Sequence, residues 1–308
     1  MTLVLGLVAG STILVGMPVG RLRRPGPELA VFLSASAVGV LLFLLWDVLS
    51  AAWAPVDAAL AATHTESATF APVAGYGLLF LAGISAGLLT LVAYEGWMRK
   101  VVSRAAGEQA PAQVPAARVG GQASGSSVDE QASQPHVGTA EVSPSGIAGW
   151  SAPQRLALLI AVGIGAHNFA EGLAIGQSAA SGEITLAVVL VIGFALHNAT
   201  EGFGIVAPLA GDVDAAGVRQ IPSWGFLLAL ATIAGGPTFL GTVIGHAVVN
   251  TAVSVAFLSL AAGSIVYVIV QLINVGSRAK RADLMAYGLL AGLFAGFVTD
   301  GILVAAGA

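Results

Sequence analysis

The sequence contains no cysteine and few charged residues. None of its 308 residues is Cys, which excludes disulfide bonds and thiolate metal sites, the usual ligands of soft Cu(I). Charged residues make up 9% of the chain and hydrophobic residues 56%, whereas about a quarter of a soluble domain is charged. A chain this poor in charge is predicted to lie mostly in a lipid bilayer, and nucleic acid is not an expected partner.

Eight apolar runs are long enough to cross a hydrocarbon core of about 30 Å. They indicate an all-α integral membrane protein with one membrane domain. Spans one to three fall within residues 1–98, a connection occupies 99–153, and spans four to eight fall within 154–308. The predicted spans are 2–20, 28–50, 73–98, 155–179, 184–210, 223–247, 250–275 and 284–306.

The positive charges predict the orientation of these spans. All twelve Lys and Arg residues fall in the odd-numbered connections, and positively charged connections face the cytoplasm. Both termini are therefore expected outside. The first span has no charged segment before it, so we expect a retained helix and not a cleaved signal. The basic residues are Arg21, Arg23, Arg24, Arg99, Lys100, Arg104, Arg118, Arg155, Arg219, Arg278, Lys280 and Arg281.

The connection at 99–153 differs from the rest of the chain. Residues 101–153 are rich in Gln, Ser, Gly, Pro and Ala and have no apolar periodicity, which is typical of a flexible loop. His136 is the only His in this stretch, so a tether is favoured over a metal-buffering segment.

The chain also contains an internal repeat. LVAGSTILVGMPVG at 7–20 aligns with TIAGGPTFLGTVIG at 232–245, and FLS at 32–34 recurs at 257–259 with the same offset. YGLL occurs at both 76–79 and 287–290. Spans one and six are five crossings apart and run in opposite directions. We therefore predict a 3+2+3 inverted repeat, an arrangement that alternating-access transporters use.

Two copies of a six-residue motif lie in the two central spans, HNFAEG at 167–172 and HNATEG at 197–202. In each copy the His and the Glu are four residues apart, so both lie on one face of a helix. A carboxylate near the bilayer centre costs about 2.5–3.5 kcal/mol on insertion scales. A divalent cation shared between the two helices would offset that cost. The neighbouring Asn residues can add amide oxygens or orient the ligands.

Imidazole, carboxylate and amide ligands suit Zn, Fe(II), Mn, Co or Ni. Several other residues are candidates for the ion path or for helix contacts. Asp300 is a candidate for path lining, Asp47 and Glu95 are favoured as solvated interfacial residues, and Gln271 as a hydrogen bonder between helices. Pro208, late in span five, is expected to kink or loosen that helix.

With its eight spans, long third connection and H-N-x-x-E-G motif, the chain resembles the Zrt-/Irt-like (ZIP) metal transporters. The resemblance implies uptake of divalent transition metals into the cytoplasm across the plasma (inner) membrane. The transported ion is expected to be Zn²⁺, with Fe²⁺, Mn²⁺, Co²⁺ or Cd²⁺ as alternatives, and no separate cofactor is expected. Dimers are common in this family, so a homodimer is an expected assembly. By motif, the implied metal ligands are His167, Asn168, Glu171, His197, Asn198 and Glu201.

The sequence departs from the family pattern in three places. Ala170 and Thr200 stand where the family often has Pro. Gly235 and Gly236 precede Pro237 where many members have an acidic residue that contributes to a second metal position, so we predict a single dominant site. The connection at 99–153 lacks the His-rich stretch of many members.

Two other functions remain open from the residues alone. A passive metal channel could use the same ligands. An intramembrane metal-dependent hydrolase would need an open metal position and a general base. The chain contains neither H-E-x-x-H nor the Glu-x-x-His pairs of di-iron bundles, which argues against the hydrolase.

Overall fold

The computed structural model describes residues 1–22, 27–65, 69–108, 146–182, 184–214 and 216–305. Within these residues the chain is helical, and its only paired extended residues are Val213 and Arg219, which form a single bridge. The α-helices are α1 Thr2–Ser11, α2 Pro27–Thr65, α3 Ala71–Glu108, α4 Ala152–Ala180, α5 Ile184–Val206, α6 Trp224–Ala247, α7 Thr251–Ser277 and α8 Ala282–Ala305.

Eight helical stretches in the described residues are long and apolar enough to cross a membrane. They coincide with the eight predicted spans and confirm an all-α, multi-pass membrane protein. Two helices extend beyond the predicted spans. α2 continues past residue 50 to Thr65, through Pro55, and α3 continues past residue 98 to Glu108. Both extensions are rich in Ala and other good helix formers, so the helices persist after the apolar runs end.

The described chain forms two compact units. One comprises Met1–Glu95 and Ser151–Ala308, and the other comprises Gly96–Trp150. The second unit contains the end of α3 and a short 3-10 helix at Gly146–Gly149. The first ten residues of the predicted 99–153 loop are therefore helical. The remainder of the predicted loop lies largely at 109–145, outside the described residues.

Spans one and five lose α-helical geometry near one end. α1 ends at Ser11 and is followed by two 3-10 segments, Thr12–Val15 and Met17–Arg21. α5 ends at Val206 and is followed by a 3-10 segment, Ala207–Gly211, that begins around Pro208. Proline has no N–H to donate to the preceding turn, so the predicted loosening at Pro208 is confirmed. The other six spans contain no comparable change in the described residues.

Glycine allows α4 and α5 to pack closely against α6 and α1. A Cβ atom at Gly172 would collide with the carbonyl oxygen of Thr238, and one at Gly202 would collide with that of Ile13. Gly172 and Gly202 are equivalent in the doubled motif, and Ile13 and Thr238 are equivalent in the aligned segments of spans one and six. The two backbone contacts are thus copies of each other.

The same correspondence holds elsewhere in these helices. A Cβ at Gly241 would collide with the carbonyl oxygen of Phe169, and one at the equivalent Gly16 with that of Ala199, which corresponds to Phe169. Gly10 and Gly235 are equivalent to each other, and a Cβ at either would collide with the carbonyl oxygen of the other.

The remaining four spans pair in the same way. α2 approaches α8 at Gly39 and Gly292, where a Cβ on either would collide with backbone of the other helix. α3 approaches α7 in the same manner at Gly87 and Gly263. These two pairs flank the group formed by α1, α4, α5 and α6, which contains both copies of the motif.

Candidate metal site

The first copy of the motif lies on α4. This helix begins with a capping box, in which Ser151 Oγ accepts a hydrogen bond from the Gln154 N–H at 3.2 Å and Gln154 Oε1 accepts one from the Ser151 N–H at 3.1 Å. This arrangement fixes the start of the helix. Along α4 the buried side chains surround the helix without a polar face. His167 is 1% exposed and Glu171 is 5% exposed, so the motif lies deep in the protein.

The second copy lies on α5 and faces the first. The ring centroids of His167 and His197 are 6.3 Å apart, as expected for histidines at similar depth on neighbouring antiparallel helices. Glu171 Oε1 lies 2.8 Å from His167 Nε2 and 2.6 Å from His197 Nε2. One carboxylate oxygen from α4 therefore contacts an imidazole from each helix.

The structure brings three of the predicted side chains into a group that can hold a metal ion. One ligand atom from each of His167, Glu171 and His197 lies within 4.8 Å of the other two. Glu201 lies close to this group, with its Oε1 at 3.6 Å from His167 Nε2. Two nitrogen and two carboxylate ligands can thus approach one ion, and this ligand set suits borderline divalent metals.

The two Asn side chains of the motif bond to neighbouring helices. Asn168 donates from Nδ2 to the carbonyl oxygen of Ala234 on α6 at 3.0 Å, and Asn198 donates to that of Ala9 on α1 at 3.1 Å. Both Asn residues are 0% exposed. The two hydrogen bonds are equivalent under the same alignment, because Asn168 corresponds to Asn198 and Ala234 to Ala9. They fix where each Asn oxygen can lie.

Several buried polar atoms around the motif have no hydrogen-bond partner of ordinary geometry among the described residues. Such atoms are rare in folded proteins, because burying an unpaired polar group costs about 1–3 kcal/mol. Carboxylate and amide oxygens of this kind are ligands for a divalent cation. They include Asn168 Oδ1, Asn198 Oδ1, Glu171 Oε2, Glu201 Oε1 and Glu201 Oε2.

Three other carboxylates lie in the membrane spans. Asp47 and Asp300 lie near each other, whereas Glu95 forms hydrogen bonds to another helix. Asp47 is exposed and interacts electrostatically with Asp300, and more weakly with His197, Glu171 and His167. The solvated position of Asp47 stays a prediction. Asp300 is half-buried on α8.

Glu95 differs from these two, because it bonds to another helix. The Tyr267 hydroxyl donates to Glu95 Oε2, and Gln271 Nε2 donates to the same oxygen at 3.2 Å. Gln271 Nε2 also lies 2.7 Å from the Tyr267 hydroxyl. Gln271 is therefore the helix-to-helix hydrogen bonder that the sequence predicted, and Glu95 is its acceptor.

Comparison with family models identifies the chain. The model described as ZIP zinc transporter matches residues 1–299, which covers the first seven spans, most of the eighth and both copies of the motif. The chain belongs to the ZIP family. A search of curated proteins finds no match. As a ZIP member the protein is a divalent metal transporter and not an enzyme, so the hydrolase alternative is wrong.

In this ZIP chain two contributors to the site are not predicted from the sequence. The backbone carbonyls of Ala9 and Ala234 orient the two Asn side chains, yet alanine offers no side-chain signal. The signal was present in the repeat itself. Ala9 and Ala234 are aligned with each other, just as Asn168 and Asn198 are.

Proposed function

We propose that the transported ion binds between α4 and α5, with His167, His197, Glu171 and Glu201 as its principal ligands and the side-chain oxygens of Asn168 and Asn198 completing the site. The observation that carries this proposal is the convergence of both motif copies on Glu171 Oε1. The buried oxygens without hydrogen-bond partners support it.

We propose Zn²⁺ as the principal substrate. A pair of imidazoles with two carboxylates matches the nitrogen and oxygen ligands that zinc accepts, and zinc imposes little geometric preference of its own. The same ligands admit Fe²⁺, Mn²⁺, Co²⁺ and Cd²⁺, and we expect these ions to compete. The absence of cysteine and the scarcity of Met, four residues in all, argue against Cu(I) as the substrate.

We propose one dominant metal position per protomer. The residues before Pro237 are Gly235 and Gly236, and neither offers a ligand. At Gly235 a side chain would also collide with the carbonyl oxygen of Gly10, because α1 and α6 touch there through their backbones. The segment before Pro237 therefore lacks the carboxylate that would extend the site toward α6.

The topology that we propose is the inverted repeat, with both termini outside and the 99–153 connection in the cytoplasm. Its support is the set of equivalent contacts. The hydrogen bond from Asn168 to Ala234 is repeated by the one from Asn198 to Ala9. The close backbone contact of Gly172 with Thr238 is likewise repeated by that of Gly202 with Ile13. With the positive residues facing the cytoplasm, the plasma (inner) membrane is the proposed location, and a homodimer is the proposed assembly.

The proposed mechanism is alternating access, in which the site is exposed first to the outside and then to the cytoplasm. The two Asn hydrogen bonds and the glycine contacts couple α4 to α6 and α5 to α1. We therefore expect α1, α4, α5 and α6 to move together against α2, α3, α7 and α8. A motion of α4 and α5 alone would break buried hydrogen bonds on both sides.

The contacts that must change in this motion lie between the two groups of helices. Ser264 on α7 donates from Oγ to the carbonyl oxygen of Gly163 on α4 at 3.1 Å. The same Oγ lies 2.7 Å from the carbonyl oxygen of Ala261 on its own helix. Because the hydroxyl has an acceptor on its own helix, it can release Gly163 without losing all its hydrogen bonding.

Zinc uptake into proteoliposomes tests the proposal. We expect saturable uptake by the native protein and a loss of at least tenfold in Glu171→Gln, with Glu95→Gln as a matched control that removes another membrane carboxylate. Flux that rises linearly with zinc concentration would favour a passive channel. Full uptake by Glu171→Gln would place the ion path elsewhere.

A further inference from the structure

An open apolar groove runs between α1 and α6 on the outer surface of the helix group. Its volume is about 190 Å³. It is lined by Leu7 on α1, Leu14 in the 3-10 segment that follows α1 and Leu228 on α6, which are 61%, 41% and 52% exposed. The groove therefore opens sideways, toward the lipid that surrounds a membrane protein. Gly10, Gly235 and Gly236 form part of its floor.

A pair of arginines lies at one end of this groove. Trp224 is one helical turn before Leu228 on α6 and lies on the same face, because residues four apart are neighbours on a helix surface. The guanidinium carbon of Arg21 lies 4.9 Å from the centroid of the Trp224 ring. Arg21 also donates to the carbonyl oxygen of Pro222 at 2.5 Å.

Arg219 contributes a second positive charge beside the first. It donates to the carbonyl oxygen of Leu22 and, at 3.3 Å, to that of Gly20, both next to Arg21 in the chain. Its Nε is buried without a hydrogen-bond partner among the described residues. These partners are neutral carbonyls, and within the described residues no carboxylate lies at ion-pair distance from either arginine.

Among the described residues, the site thus combines two positive charges that form no ion pair with hydrogen-bond donors that have no partner. A guanidinium has five N–H donors, and the contacts above occupy only one on Arg21 and two on Arg219. The N-terminus of α6, capped by Ser223, adds the positive end of a helix dipole nearby. Trp224 is 52% exposed, as is common for tryptophans at the membrane–water interface.

We propose that this groove binds one anionic phospholipid, with an acyl chain between α1 and α6 and the phosphate at Arg21 and Arg219. The groove supplies apolar contact along the membrane, and the arginines supply the opposite charge at its end. Basic pockets between membrane helices are known to hold anionic headgroups. Placement in the cytoplasmic leaflet depends on the proposed orientation, whereas binding itself does not depend on metal transport.

The bound lipid would act on the group of helices that carries the metal site. Its acyl chain would contact Ser11 and Thr232, next to the closest approach of α1 and α6, and its headgroup would hold the ends of the same two spans together. The loop between α5 and α6 is already tied to span one through the two arginines. An anionic lipid would therefore stabilise α1, α5 and α6 as one body.

Native mass spectrometry of delipidated protein tests this proposal in the presence of a metal chelator. We expect one phosphatidylglycerol to bind at least tenfold more tightly than phosphatidylcholine. Arg21→Gln should weaken phosphatidylglycerol binding at least fivefold, and Thr232→Phe, which fills the groove at an exposed position, should weaken both lipids. Arg278→Gln removes a basic residue outside the groove and should leave binding unchanged.

Equal affinity for the two lipids would overturn the proposal, as would equal losses in Arg21→Gln and Arg278→Gln. Weaker phosphatidylglycerol binding in Thr232→Phe with unchanged binding in Arg21→Gln would also contradict it, because the headgroup would then have no role. A second measurement uses phosphatidylglycerol with brominated acyl chains, which quench nearby tryptophans. We expect the quenching to fall in Trp224→Phe, and unchanged quenching would place the lipid elsewhere.

Discussion

Glu171 Oε1 lies 2.6 Å from His197 Nε2, although the two residues belong to different helices and different copies of the motif. The same oxygen is 2.8 Å from His167 Nε2. A single carboxylate thus joins both halves of the site. No other side chain among the described residues contacts both histidines at hydrogen-bond distance, so Glu171 is the position at which the two helices are most directly coupled.

The first prediction concerns the charge of this carboxylate. Glu171→Gln keeps the size of the side chain and removes its negative charge, so we expect zinc affinity to fall by at least tenfold, or about 1.4 kcal/mol. Isothermal titration calorimetry in detergent measures this change. Glu95→Gln, which alters a carboxylate bonded to Tyr267 and Gln271, should bind zinc as the native protein does. Equal losses in the two variants would indicate general destabilisation.

The two asparagines provide a second, paired prediction. Asn168→Ala and Asn198→Ala each remove one buried hydrogen bond to a neighbouring helix. Hydrogen bonds between membrane helices contribute about 0.6 kcal/mol on average and up to about 1.7 kcal/mol. We expect each variant to lower the free energy of unfolding by an amount in this range, and by similar amounts because the two contacts are equivalent.

Steric trapping in bicelles measures that free energy. Thr299→Val is a suitable control, because within the described part of the chain the hydroxyl that it removes bonds only to its own helix, at Ala295. A large effect of one Asn substitution and none of the other would contradict the equivalence of the two halves. Effects equal to that of Thr299→Val would mean that the Asn hydrogen bonds add no stability.

The sequence predicts those features of this fold that depend on the type of side chain, and it does not predict contacts made by the backbone. The eight spans follow from apolar run length, and the facing motif copies follow from helix geometry and the short connection between α4 and α5. The link from Asn168 to Ala234 could not be assigned, because a backbone carbonyl acceptor leaves no trace in the residue type. The extension of α3 to Glu108 was missed because hydropathy marks the membrane boundary and not the helix end.

Close helix contact through glycine leads to a third prediction. A Cβ at Gly172 or Gly202 would meet backbone atoms of α6 or of span one, so Gly172→Ala and Gly202→Ala should each destabilise the protein by about 1–3 kcal/mol, the usual cost of overpacking. Zinc uptake should fall with them, since each glycine directly follows a proposed ligand.

Gly77→Ala is the matched control, because the Cβ that it would add meets no described atom of another helix within 4 Å. The thermal transition of the purified protein and zinc uptake are measured for all three variants. Native behaviour in Gly172→Ala would mean that α4 and α6 can separate at little cost. That result would also weaken the argument that they move as one body.

A fourth prediction tests which helices move. Because the chain has no cysteine, pairs can be introduced without background. Gly163→Cys with Val268→Cys links α4 to α7, where a Cβ at Gly163 would lie 2.5 Å from Val268 Cγ2. A disulfide there crosses between the two proposed groups of helices. We expect oxidation to abolish zinc uptake and a reductant to restore it.

Gly20→Cys with Val206→Cys is the contrasting pair. A Cβ at Gly20 would lie 3.0 Å from the Cβ of Val206, slightly closer than in an ordinary disulfide. Gly20 lies in the second 3-10 segment of span one and Val206 at the end of α5, so both belong to spans of the group that is proposed to move. If this group moves as one body, a disulfide within it does not oppose the motion. Uptake should then stay within about twofold of that of the reduced protein, which is small beside the tenfold change that corresponds to about 1.4 kcal/mol. Reversible loss of uptake in this pair would show that spans one and five must separate during transport, and the moving unit would then be smaller than the four helices.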